Sequence, residues 1–209
     1  MYTFKLARDK SDRDQAATLV RRVYAKSGYI KEDGSTPITD FMYNEEQTNS
    51  VLALVDDKIV GTISLVQPGR DQLPMESLYA SEIKDLDHPI MAVAEVCQFA
   101  VDKELLPKKF GTSKLCEAEL ALQLLALIII ICRRKFISRA LFTINPKHKT
   151  FYEALGARQF GAEKSYAAVN GAPALAYELD MDKILAGSGS GLILRAVEKI
   201  EPVADTLFC

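Results

Sequence analysis

The sequence predicts a three-layer α/β fold with helices on the faces of a mixed sheet. Three observations predict it. A dense helical pattern at residues 113–134 separates two strand-like runs, 91–101 and 137–144. Two hairpin patterns, at 51–66 and 160–181, supply antiparallel pairs. The full order, β-α-β-β-β-α-β-α-β-β, mixes hairpins with helical crossovers.

Each element has a local reason. Tyr2, Phe4 and Leu6 alternate with Thr3 and Lys5, which reads as a short strand. A helix follows from Ser11 or Asp12, with an apolar stripe of Leu19, Val20, Val23 and Tyr24, and Gly28 marks its end. Residues 29–49 read as loop or short turns, because Asp33, Gly34 and Pro37 interrupt them. Asp56-Asp57 between runs rich in Val, Ile and Leu predicts a hairpin. Residues 67–89 read as a polar excursion in which residues 75–79 fold back on the core, punctuated by Pro68, Gly69, Pro74 and Pro89. Residues 91–101 form a nearly continuous apolar strand broken by Glu95 and Gln98. The helix at 113–134 contains neither Gly nor Pro. A strand at 137–144 ends before Pro146, and a short helix at 147–155 stops at Gly156. Asn170-Gly171 turns the closing hairpin. Residues 1–183 are expected as one domain. Residues 184–209 are expected as a Gly/Ser joint and a tail with some helical spacing.

Composition narrows the function classes. Hydrophobic residues make up 48% of the chain and charged residues 26%, an ordinary globular balance. A net charge of -2 does not suggest wholesale nucleic-acid binding. Two histidines leave little material for a His-based metal site, and no metal is expected. Cys97, Cys116, Cys132 and Cys209 form no CxxC pair and read as reduced thiols. Residues 120–132 are the most hydrophobic stretch, too short to span a bilayer, and read as a buried helix or a greasy wall for a lipid-like substrate. Residues 1–6 lack a signal-peptide apolar run, so a cytoplasmic location is expected. No G-x-S-x-G occurs, and no Ser, His and Asp spacing suggests a hydrolase triad.

Two places carry chemistry. Glu95 lies in an apolar strand, where an unpaired carboxylate is costly and its pKa rises. Such a group can take a proton from an amine. A solvent-facing Glu95, or one paired with a core arginine, is the alternative. Lys108, Lys109, Gly111, Thr112 and Ser113 lead into the long helix, whose first N–H groups can hold an anion. The alternative there is a plain capped loop. Six basic residues and no acid fall between 133 and 149. They suit phosphates, an acidic partner or simply solvent.

The run from Asn145 to Tyr152 to Leu155-Gly156 resembles the last conserved stretch of GNAT acyltransferases, with Ala157 where that pattern has Phe. Residues 95–101, Glu-x-x-Gln-x-x-Val, resemble the Glu-x-x-Arg-x-x-Val signature of acyl-homoserine-lactone synthases and N-acyl amino acid synthases. Arg22, Tyr24 and Gly28-Tyr29 are similar to the opening of the N-acyl amino acid synthases, and Tyr166 with residues 170–174 to their closing hairpin. Gln98 departs from the pattern and removes a fixed positive fork. The resemblance implies a GNAT-like fold around a central, mostly antiparallel mixed sheet. It implies direct transfer of a medium- or long-chain acyl group to a small amine or amino acid from an acyl-phosphopantetheine thioester on acyl carrier protein; the alternatives are acetyl transfer from acetyl-CoA to a small amine and a non-catalytic GNAT-like module that binds acyl groups or CoA. Glu95 is then the base, and Tyr152 the acid for the leaving thiolate or simply a packed tyrosine. Phe99, Val101, the 108–113 loop and Asn145 hold the thioester arm. Tyr24, Tyr29, Gln98 and Phe142 border the acceptor. Arg133, Arg134, Lys147 and Lys149 form a carrier-protein patch.

Overall fold

The computed structural model describes residues 2–31, 40–106 and 113–207, without the side chains of Phe41 and Ser113. A seven-stranded sheet runs in the order β1-β2-β3-β4-β5-β7-β6. Its strands are β1 (Thr3–Leu6), β2 (Thr48–Val55), β3 (Lys58–Val66), β4 (Val93–Val101), β5 (Arg139–Ile144), β6 (Arg158–Tyr166) and β7 (Ala172–Asp180). Only β4 and β5 run parallel. The other neighbours are antiparallel. Helices α1 (Lys10–Lys26) and α2 (Glu76–Lys84) lie on one face, which we call the front. Helices α3 (Ser113–Arg134), α4 (Lys149–Ala154), α5 (Met181–Leu185) and α6 (Gly191–Leu207) complete the fold, with α3 and α6 stacked on the back.

Local signals explain most boundaries. The Asp9 carboxylate accepts the Asp12 N–H at 2.8 Å and caps α1. At the other end Gly28 has φ 73°, the Tyr29 N–H reaches the Tyr24 carbonyl at 2.9 Å, and the Gly28 N–H reaches Ala25 at 2.9 Å. This Schellman turn sets Tyr29 against Tyr24. Gly156, with φ 92°, closes α4 in the same way through Ala157 N–H to Tyr152 carbonyl at 3.0 Å. Asp56 and Asp57 both have positive φ, as a tight two-residue hairpin requires.

Two segments differ from the sequence expectation. The polar excursion contains α2, whose Met75, Tyr79 and Ile83 recur every four residues and are buried. The prolines around it hid that stripe. The stretch expected as a joint and tail contains the end of α5 and all of α6, and α6 buries Ile193, Ile200, Ala204 and Leu207 in the main core. Its outer side forms ion pairs with α3, from Arg133 to Glu201, Arg134 to Asp205 and Lys199 to Glu119. Leu124 to Cys132 of α3 are therefore buried between sheet and helix. The stretch is core rather than an open wall. By length and composition α3 alone among the described residues could cross a membrane, yet 61% of that window is buried within the fold.

Candidate functional site

The parallel pair β4 and β5 opens at its C-terminal end. Pairing runs from Val93 opposite Arg139 to Val96 opposite Phe142 and goes no further. Beyond that point β4 bulges. Gln98 has φ 51°, and the register with β3 shifts between Ser64 opposite Cys97 and Thr62 opposite Ala100. An extra residue exchanges the faces of the strand. Cys97 and Ala100 pack on the front, whereas Phe99 and Val101 pack towards α3 on the back. Gln98 itself is 5% exposed.

Glu95 sits just before this opening, opposite Leu141 of β5, and is 1% exposed. It neither faces solvent nor pairs with an arginine. Its Oε2 accepts the Met75 N–H at 2.8 Å, from the turn leading into α2. Burial pushes its pKa up to about 8; the Met75 N–H opposes the rise and Glu76 adds to it.

Tyrosines surround the opening. Tyr24 and Tyr29 meet edge to face at 5.6 Å from the end of α1. Burial raises the pKa of Tyr24, which also feels Cys97, Tyr152, Tyr29 and Tyr166. Tyr166 is pushed to about 12 by burial and by Glu95, and its hydroxyl donates to the Pro74 carbonyl at 3.2 Å. Tyr152 is 8% exposed and packs on Phe142 at 5.2 Å and Phe151 at 5.4 Å. Burial raises its pKa too. Burial and Glu95 push the Cys97 thiol well above its usual range, which argues against a thiolate nucleophile.

The other expected residues divide. Asn145 ends β5, accepts the Lys147 N–H at 3.1 Å and donates to the Pro173 carbonyl at 3.3 Å. Lys147 stands at the same strand end with its Nζ 4.6 Å from the Tyr29 ring centroid. Lys149 lies 3.7 Å from Glu153 one turn along α4. Arg133 and Arg134 end the 22-residue helix α3, a length of roughly 33 Å, and engage α6. They sit at the opposite end of the sheet from Lys147 and Lys149, so the four make no single patch. Lys108, Lys109, Gly111 and Thr112 lie outside the described residues. Ser113 opens α3, as expected. Among the described residues no group of three or more His, Cys, Asp or Glu is placed to hold a metal ion.

Sequence reading missed Thr143. It lies on the front of β5, two residues beyond the neighbour of Glu95, and its hydroxyl is buried without a hydrogen-bond partner. The Tyr29 hydroxyl is likewise buried and unpartnered. The alternation of β5 was the available signal, but nothing in the sequence told the open side of that strand from its paired side.

Known proteins share this arrangement. FeeM, an N-acyl amino acid synthase from uncultured soil microbes, superposes with a TM-score of 0.71 and 29% identity, covering 88% of this chain and 93% of that one. The AHL synthase LasI gives 0.59 at 13% identity, covering 87% and 89%. An acetyltransferase of the GNAT family from Staphylococcus aureus gives 0.55 at 15% identity, covering 86% and 99%. These last two share the fold. No curated protein matches the chain in sequence. Residues 15–180 match the family described as N-acyl amino acid synthase FeeM. The chain is accordingly a GNAT-fold acyltransferase acting on an amine acceptor, and it belongs to the FeeM family of N-acyl amino acid synthases.

Proposed function

We propose that the chain moves a medium- or long-chain acyl group from an acyl-carrier-protein thioester to the amine of an amino acid or similar small amine, with Glu95 as general base. The observation that carries this reading is a buried carboxylate that accepts the Met75 N–H and pairs with no cation among the described residues, one residue before the last pair of β4 and β5. The amine arrives protonated. Glu95 in its ionised form takes that proton, directly or through a water. The free nitrogen attacks the thioester carbon, and the carbonyl oxygen gains charge that a β4 backbone N–H beside the bulge stabilises. The C–S bond then breaks, the acyl C–N bond remains, and the thiolate leaves while the nitrogen's second proton passes to it, directly or through a water. Tyr152 protonates it or merely packs nearby, since a thiol with pKa near 8.5 is a fair leaving group.

The thioester arm runs through the opening past Phe99, Val101 and Asn145, with its phosphate at the start of α3 near residues 108–113. Phe142, Tyr152 and Cys97 give the opening apolar walls. Lys147 and Lys149, exposed at that end, receive the acidic carrier. A cytoplasmic location accords with such a donor. One observation favours a second reading, CoA-dependent acetyl transfer to a small amine: α6 fills the back of α3, which leaves no open apolar wall there for a long chain.

The test is intact-mass analysis of products after incubation with acyl-carrier thioesters, acyl-CoA thioesters and pooled amino acids. Long-chain N-acyl amino acids formed only from carrier thioesters support the first reading. Acetyl products from CoA alone support the second. The turnover number should rise with pH, stand at half its maximum near pH 8, where half of Glu95 has lost its proton, and level off above that.

A further inference from the structure

Resting on the reading of an amino-acid acceptor, we propose that Thr143, Tyr29 and Lys147 form the subsite that binds the acceptor's carboxylate and so select an amino acid over a neutral amine. An amino acid presents its carboxylate within a few ångströms of the nitrogen that must meet Glu95. That carboxylate needs donors or a cation on the front side of the opening. Among the described residues no cation pairs with Glu95, and Gln98 brings no charge to the bulge.

Three groups beyond Glu95 answer the need. Thr143 follows Leu141 by two residues on the same face of β5, past the last pair with β4, so its buried, unpartnered hydroxyl borders the opening. The Tyr29 hydroxyl, brought in by the Gly28 turn, is also buried and unpartnered. Lys147 follows the end of β5, and no residue described here forms an ion pair with it. Its ammonium is held 4.6 Å above the Tyr29 ring instead. A cation on an aromatic face keeps its remaining donors for an anion. Two unpartnered hydroxyls and one cation thus stand along the path leading away from the base, and a carboxylate is the acceptor group that satisfies all three.

Steady-state kinetics with an amino acid and its carboxamide as paired acceptors tests this. The wild-type enzyme should use the acid with the lower KM. Lys147→Met should raise the acid's KM about 10- to 100-fold relative to the carboxamide's, as loss of a charge-assisted contact implies, while any change in the donor's KM falls equally on both acceptors. Lys147→Arg should recover most of the loss, and Thr143→Val should give a smaller rise for the acid alone. Lys147 is exposed and Thr143→Val keeps the side chain's shape, so both variants should fold. Equal use of acid and carboxamide by the wild type would overturn the subsite. So would a Lys147→Met defect confined to the acyl donor, which would assign Lys147 to the carrier. If no acceptor yields an N-acyl product, the proposed function fails first and the subsite falls with it.

Discussion

Glu95 and Glu178 flank the same residue, Leu141, from strands β4 and β7, and both are buried. Their partners differ. Glu178 lies against Arg158 at 2.5 Å and Arg139 at 3.8 Å, and Arg139 also reaches Asp180 at 2.8 Å. Among the described residues Glu95 has one backbone N–H. A buried carboxylate paired with arginines serves the fold. One left with a single neutral donor holds its proton to higher pH and is poised for proton transfer.

The comparison can be broken or sharpened by substitution. Arg139→Met should have the largest effect on the fold, lowering stability by about 1–3 kcal/mol in urea melts, because it removes one of the two arginines of Glu178 and the arginine of Asp180. A cost below about 1 kcal/mol would show that the two carboxylates are not so different. Glu95→Gln should lower the turnover number by about 10²- to 10⁴-fold while the chain still folds, since the amide can accept the Met75 N–H. Retained turnover would remove Glu95 from the chemistry.

The same variant should respond to pH in a definite sense. The folded-state pKa of Glu95 is raised from 4.5 to about 8. Between those values the folded chain keeps a proton that the unfolded chain has lost. The contribution to stability is therefore full below about pH 4.5, is lost as pH rises towards 8, and changes no further above it. Its steepest slope is about 1.4 kcal/mol per pH unit. The melting temperature of Glu95→Gln should overtake that of the wild type as pH rises through this window. Parallel melting curves from pH 5 to 8 would contradict the raised pKa. The smallest effect should come from Gly28→Ala, at about 1 kcal/mol, because φ 73° strains any residue with a Cβ. It should also raise the acceptor's KM by misplacing Tyr29, and an unchanged KM would detach that tyrosine from the acceptor side.

Some of this was legible in the chain. Alternation marked the strands, Asp56-Asp57 and Asn170-Gly171 marked turns, and Gly28 and Gly156 marked helix ends, because these signals act over a few neighbouring residues. Glu95 stood out for the same reason, as a carboxylate inside an apolar run. Helix α2 was missed although Met75, Tyr79 and Ile83 carried its period, since the flanking prolines and polar residues read as a loop. The basic run from 133 to 149 divides as the intervening strand pattern indicated, because β5 carries its two ends apart.

The sequence by itself determined the alternating strands, the helix with no Gly or Pro, and the family to which the chain belongs. Only the tertiary structure decided that Glu95 lacks an arginine while Glu178 has two, that Gln98 takes a left-handed conformation and splits the faces of β4, and that α6 rather than an acyl chain covers α3. Partners, bulges and coverings depend on residues far apart in the chain, whose encounter costs loop-closure entropy and is repaid only by the assembled core.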